Sequence, residues 1–392
     1  MGTIERAPYR VATASTEAAP GLVPDGSAPR ADADEHSGFH RSPPATRTAA
    51  ATEEALWHVR RQRAILKLHP EVRELFGTDP WTAAWVVALV GVQWMVAFEL
   101  RDAHAWLILQ AVLFFGAPVA HALGMLIHEC AHNLVFRQTW KNKTLGLVAN
   151  LGLVGPGAMA FRHQHLVHHR LLGDAREPDG GDTQAPTLRE IRLSGRSPWR
   201  RLFFFTFGHF THRPRAGDAP PRDGWLLANN VLCAMAGVTI GLGFGLRSLA
   251  YVMFSLLFAF GPHPLGARRL SEHWTVRKGQ PTCSYYGPAN WISFQVGHHV
   301  EHHDFPHVPW SRLRRLRAIA RDHYEHLGSF SSWTRLLTKY LFVPRWDRGH
   351  YVGFSHDYLE GDGPTRAFDV TQPSTPSGSP WRPADRRSRS LR

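Results

Sequence analysis

Two apolar runs, Thr82 to Leu100 and Ala105 to Ile127, are separated only by Arg101-Asp102-Ala103-His104. Each is long enough for a helix that crosses a hydrocarbon core about 30 Å thick. A link this short predicts two helices paired as a hairpin, since a spanning segment must satisfy its own backbone hydrogen bonds. A second hairpin is predicted from Trp225 to Leu246 and Ser248 to Leu265, turning near Arg247. Two weaker stretches, Leu145 to Phe161 and Leu202 to Phe210, are short or glycine-rich and read as helices lying at the interface.

Charge orients this pattern. Arg60-Arg61-Gln62-Arg63 precedes the first span, and arginines fill the segment from Arg196 to Arg215 between the hairpins. Basic segments stay on the cytoplasmic side, so both termini are expected there, in a bacterial plasma membrane or the endoplasmic reticulum. The expected architecture is an all-α integral membrane protein, with four transmembrane helices in two hairpins under a cytoplasmic helical cap. Residues 1–52 and 346–392 are rich in Pro, Ser, Ala and Arg without apolar runs and read as tails. The folded domain is expected over 53–345. Net charge is +13, but the arginines flank spans instead of forming a basic face on a soluble module, so a lipid bilayer is the expected partner and nucleic acid is not.

Composition adds one anomaly. Only Cys130, Cys233 and Cys283 occur, with no CxxC pair, which argues against disulfides and a thiolate zinc site. Histidine, in contrast, numbers 25, crowded into clusters. His128 and His132 stand four apart; His165, His168 and His169 stand at i, i+3 and i+4, and His299, His302 and His303 repeat that spacing. Each set shares one helical face, and each falls in a segment assigned to the cytoplasmic boundary. Eight clustered imidazoles exceed what one ion takes, and two ions sharing them leave positions open for oxygen. Iron supplies a redox change that zinc lacks, and the reaction that needs such a site in a membrane is oxidation of a lipid C–H bond. Glu301, Asp304, Asn133 and Glu272 are candidates to orient the imidazoles through their second nitrogens. His163 and His298 do not complete the spacing and are left out.

Two readings from other classes fit parts of the pattern. His128-Glu129-Cys130-Ala131-His132 satisfies the HExxH signature of a zinc protease with Glu129 as base, although one zinc ion has no use for two further clusters. A metal transporter calls for polar residues in mid-span, where the sequence offers little beyond Gln93 and Glu99. Gly241 to Gly245 is a poor dinucleotide fingerprint inside a span and reads as helix packing.

Beyond the clusters, Arg60-Arg61-Gln62-Arg63, Ile65-Leu66, His69-Pro70-Glu71 and Leu75 to Pro80 form an N-terminal signature. His263-Pro264, Ser271-Glu272-His273, Ser284 to Pro288 and Gly297 to Pro306 form a second. With these the chain resembles the sphingolipid delta-4 desaturases within the membrane fatty acid desaturase superfamily, from roughly Trp57 to Tyr340. The resemblance implies a di-iron, non-haem site ligated by His128, His132, His165, His168, His169, His299, His302 and His303, with His273 as ninth ligand. It implies O2 as co-substrate and a sphingoid, ceramide-like or fatty acyl chain as substrate. It also implies electrons from a separate donor such as cytochrome b5 or ferredoxin; Arg312, Arg314 and Arg315 read first as solvated surface charge, with a docking face for that donor as the alternative. Loss of two hydrogens gives a double bond, and return of oxygen gives an alcohol, so a hydroxylase is the alternative outcome at one site. Arg268 and His298 stand where relatives usually carry His and Tyr, respectively.

Overall fold

The computed structural model describes residues 48–174, 181–211, 219–277, 279–343 and 351–352. Most of the expected N-terminal tail and nearly all of the C-terminal extension lie outside the described residues. The described chain is mostly helical. Helix α1 runs Thr48–Leu68, followed by a 3-10 turn at Pro70–Leu75. Then come α2 (Thr82–Glu99), α3 (Ala105–Ala131), α4 (Thr139–Leu151) and α5 (Ala158–Leu171). Next are α6 (Leu188–Ser194), α7 (Pro198–Thr211), α8 (Gly224–Phe244) and α9 (Leu246–Phe260). The short α10 (Arg268–Glu272) and α11 (His299–Asp304) precede α12 (Trp310–Ile319), α13 (Arg321–Tyr324) and α14 (Trp333–Phe342). Among the described residues the strands are β1 (Ser284–Tyr285) and β2 (Ser329–Phe330), paired in parallel.

Among the described residues four segments are long and apolar enough to cross a membrane: Thr82–Asp102, Ala105–Ala131, Gly224–Phe244 and Leu246–Glu272. They coincide with the four expected spans, the last extending beyond Leu265. Their outer faces are apolar and open: Phe114 is 81% exposed and Leu242 86%. A soluble monomer rarely carries an apolar surface of that extent, and a bilayer accounts for it. Trp81 and Trp106 stand exposed where the first two spans begin, the place amphipathic indoles take at a membrane interface.

Where α3 crosses α9 the backbones come close. A Cβ on Gly116 would run into Ser255, and one on Gly124 into the Phe260 ring. Small residues at such a crossing are how apolar helices gain contact inside lipid. Around this seam Leu123, Leu126 and Ala120 are fully buried with Val86 and Ala259.

The expected interfacial helix from Leu145 to Phe161 is instead two helices, α4 and α5. Gly152, Gly155, Pro156 and Gly157 end the first, and the buried Asn150 side chain closes the break by accepting from Ala158 N–H at 2.7 Å and donating to the Gly155 carbonyl. The break leaves α5 free to set its own direction, which carries the second histidine cluster under the end of α3.

Candidate metal centre

A helix advances about 100° per residue, so the neighbours His168 and His169 on α5 cannot face one point, and nor can His302 and His303 on α11. The structure uses this divergence to make two groups. His128 and His132 at the end of α3, His165 and His169 of α5 and His302 of α11 bring one ring nitrogen each within 4.8 Å of one another. His168, His273 and His303 do the same beside them. His299 joins this second group, with Nε2 2.9 Å from His273 Nε2 and its ring 4.6 Å from that of His303.

The nitrogens point at one another across short gaps. Nε2 of His169 lies 3.0 Å from that of His165 and 3.2 Å from that of His302, and Nε2 of His168 lies 3.0 Å from that of His273. Imidazoles held at right angles about 2.1 Å from a shared ion have nitrogens about 3 Å apart. Hydrogen bonding does not account for the set, since Nε2 of His128, His132 and His303 is buried without a partner. The donor set therefore fits metal ions of the imidazole-binding class.

Burial, followed by the neighbouring rings, pushes His132, His165, His169, His273, His299, His302 and His303 well below the ordinary histidine range. At neutral pH they are uncharged, with lone pairs free for a metal. In the metal-free protein the unfolded chain binds protons near pH about 6.5 while the folded chain does not, so stability falls as pH drops below that value and is level above it. Melting of metal-stripped protein in detergent should therefore shift to lower temperature between pH 7 and 5.5; a constant or rising melting temperature over that range contradicts the burial of neutral rings.

Residues around the rings fix their orientation. Asp182, fully buried, accepts from His168 Nδ1 at 2.7 Å and from the backbone N–H of Gly173 and Gln184 at 3.0 Å. Burial raises its pKa, but His168 and these donors outweigh that and hold the carboxyl below its usual range. The Gln184 side-chain amide lies 2.9 Å from His165 Nδ1. Tyr351 donates to Asp182 at 3.1 Å, and Val352 N–H donates to the His273 carbonyl at 2.8 Å. Two residues of the expected C-terminal extension thus pack against this centre.

Of the four orienting candidates read from the sequence, one reaches a clustered imidazole. Glu272 Oε1 stands 3.4 Å from His299 Nδ1 and also pairs with Arg268. Glu301 instead accepts from Ser284 and Tyr286 at 2.7 and 2.8 Å, tying α11 to the β1 segment. Asp304 is held by α1, and Asn133, with φ 59°, ends α3 in the left-handed conformation that asparagine tolerates. Glu129 accepts from Trp310 N–H at 3.1 Å, which ties it to α12 and leaves it poorly placed as a protease base. Arg312 donates to the carbonyls of Leu75, Phe76 and Thr78, so it braces the 3-10 turn and is not open for docking; Arg314 and Arg315 remain exposed. His163 and His298 lie outside both groups, His298 against the Tyr286 ring.

Besides His273 and His298, two further buried histidines among the described residues have no counterpart in the spacing pattern. His121, two turns before His128, lies in mid-span against Phe260 and Trp333, adding a polar group to those the sequence suggested there. His58 of α1 bonds Asp304 and Thr282, both at 2.7 Å. Beside the first group, Met125, Phe294, Val296 and Leu313 with His128, His302 and Glu129 line an apolar pocket. Its wall residue Phe294 and the adjacent Gln295 take φ of 48° and 55°, a strained backbone of the kind retained at functional sites.

Comparison with known proteins follows the same outline. The fatty acid desaturase family profile matches residues 103–334, and the Sphingolipid Delta4-desaturase profile matches 51–81. A sphingolipid delta(4)-desaturase of Drosophila melanogaster is 38% identical over 297 residues, covering 73% of this chain and 89% of the relative. A sphingolipid delta(4)-desaturase DES1-like protein of Arabidopsis thaliana is 36% identical over 290 residues, covering 72% and 85%. A sphingolipid delta(4)-desaturase/C4-monooxygenase of Homo sapiens is 35% identical over 293 residues, covering 73% and 88%. The fatty acid desaturase profile covers all nine clustered histidines and three of the four apolar helices, and the Sphingolipid Delta4-desaturase profile covers the segment just before the first of those helices. With relatives more than 30% identical over more than two thirds of each chain as well, the chain belongs to the sphingolipid delta-4 desaturases of the membrane fatty acid desaturase family.

Proposed function

We propose that this protein is an oxygen-dependent lipid desaturase that places a double bond in a sphingoid or ceramide-type chain at a di-iron site. The observation that carries the reading is the division of nine clustered imidazoles, seven buried and two partly buried, into two adjoining groups. His128, His132, His165, His169 and His302 would hold one iron, and His168, His273, His299 and His303 the other. Two irons bound there supply the redox change that oxidation of an unactivated C–H bond by O2 requires.

The chain's own residues do the rest. Neutral imidazoles offer lone pairs at physiological pH, and Asp182 holds His168 with Nδ1 protonated, so that Nε2 faces the ion. The apolar side chains of Met125, Phe294, Val296 and Leu313 stand beside His128 and His302 and would flank the reacting stretch of a lipid chain. The two pairs of spans form hairpins, with both termini and the histidine-bearing cap on the cytoplasmic side, in keeping with the basic segments that flank them. The catalytic unit would be residues 53–345, with Tyr351 and Val352 beyond it packed against the centre. A separate electron donor such as cytochrome b5 or ferredoxin would meet that face, where Arg314 and Arg315 are exposed. Hydroxylation at the same site is the second reading, favoured by the C4-monooxygenase activity named for the human relative.

Metal analysis of the purified protein, with lipid mass spectrometry of a host fed dihydroceramide and fatty acids, tests both parts. Two irons per chain and a product lighter by two hydrogens are expected. A product heavier by one oxygen selects the hydroxylase, and one zinc without iron rules out both.

A further inference from the structure

Helix α11 packs three clustered imidazoles into six residues, His299–Asp304. A helix that short does not hold its own shape, because nucleation costs more than so few hydrogen bonds return. Its position has to come from what grips it. Glu301 anchors one side through Ser284 and Tyr286. The other end is gripped by α1.

Three side chains of α1 close on Asp304, the last residue of α11, which is 1% exposed. His58 Nδ1 lies 2.7 Å from Oδ1, Arg61 Nε lies 3.0 Å from Oδ2, and Gln62 Nε2 lies 2.9 Å from the Asp304 carbonyl oxygen. The second His58 nitrogen meets the Thr282 hydroxyl at 2.7 Å, and its ring centroid is 5.1 Å from that of His303. A neutral imidazole satisfies both bonds, with Nδ1–H donating to the carboxylate and Nε2 accepting from the hydroxyl. Both nitrogens are therefore used, and His58 has none left for an ion.

The grip comes from a particular part of the chain. His58, Arg61 and Gln62 lie within residues 51–81, which match the Sphingolipid Delta4-desaturase profile, and outside the 103–334 matched by the general fatty acid desaturase profile. The segment that distinguishes this subfamily is thus the one that reaches the wall of the metal centre.

We propose that His58 is a positioning residue of the metal centre: by joining Asp304 to Thr282 and packing on His303, it fixes the end of α11 and so the approach of His303 to its ion. The proposal rests on the di-iron desaturase reading above. Without the ring, Asp304 keeps Arg61 but loses its link to Thr282, and His303 loses the ring that packs on it from α1.

The test uses full-length, iron-loaded protein carrying His58→Ala, His58→Asn or His58→Gln, read by iron content, turnover and the Mössbauer spectrum. An asparagine amide falls near the place of Nδ1 and can donate to Asp304; a glutamine amide falls near Nε2 and reaches Thr282. Wild type must first show two irons and a desaturated product, and failure there counts against the functional reading and not against His58. The Ala variant is expected to keep two irons at saturating iron, lose about 10- to 100-fold in kcat, and alter the signal of one iron, as loss of a supporting contact does. Asn should recover to within about threefold of wild type and Gln should not. Wild-type turnover with an unchanged spectrum in the Ala variant overturns the proposal. So does recovery by Gln as complete as that by Asn, and so does loss of one iron at saturation, which would make His58 a ligand. If the Ala variant does not accumulate, the Asn and Gln pair, each keeping a polar group in the buried site, still decides.

Discussion

Replacing His302 with alanine should cost the protein iron and all detectable lipid oxidation, while the same change at His298, four residues earlier, should leave both irons in place. His302 is 2% exposed, its Nε2 sits 3.2 Å from that of His169, and its ring lies 4.4 Å from that of His128. It is thus in the middle of the five-histidine group. His298 is nearly as buried, at 5%, yet turns its ring to Tyr286 and belongs to neither group. The pair therefore separates ligation from burial. Loss of a ligand removes the metal chemistry instead of tuning it, so a fall of at least about 10³-fold in product is expected at position 302, beyond the 10- to 100-fold typical of supporting residues. Iron content measured beside product formation checks it. A His302→Ala protein that keeps two irons and full turnover would show the five-histidine group to be wrongly drawn.

The contrast between these two histidines also marks what a sequence can carry. Spacing at i, i+3 and i+4 is local, so each cluster was legible as one helical face. The apolar runs were legible for the same reason, because a span is defined by its own length and composition. What spacing does not state is which cluster members share an ion. That division follows from the 100° step between His168 and His169 and from the direction α5 takes after the break at Gly152–Gly157, a break whose glycines and proline were visible but were read as part of one interfacial helix. Side chains brought in from a distance left no pattern at all. His58 stands alone in Trp57-His58-Val59, and Asp182 is one acidic residue in a polar loop. Conversely, Glu301 and Asp304 stand within the third cluster yet turn away from the clustered imidazole nitrogens, because α11 needs them to anchor its two sides. Arg312 looked like surface charge and proved to be a brace, since a guanidinium can satisfy several carbonyls at the end of a short 3-10 turn.

Asp182 is where this non-local support should be most costly to remove. His168 is fully buried and its Nδ1 donates to Asp182 at 2.7 Å, leaving Nε2 to face His273 at 3.0 Å. The carboxylate in turn collects the Gly173 and Gln184 backbone N–H groups and the Tyr351 hydroxyl, so one buried charge ties the loop after α5 and the Tyr351 segment to one imidazole. Asp182→Ala takes away the acceptor that selects the metal-facing tautomer and leaves those donors without their shared partner. The expected result is a loss of about 10- to 100-fold in affinity for the iron held by His168, His273, His299 and His303, with a matching loss of activity. Asp182→Asn keeps one acceptor oxygen for His168 but turns an NH2 toward groups that are themselves donors, so it should fall between wild type and Ala. Iron titration of the purified variants reads this directly: one iron bound as in wild type and a second requiring a higher free iron concentration. Equal weakening of both irons would mean that Asp182 supports the fold at large, and unchanged binding of both would mean that the His168 tautomer is set by the ion alone.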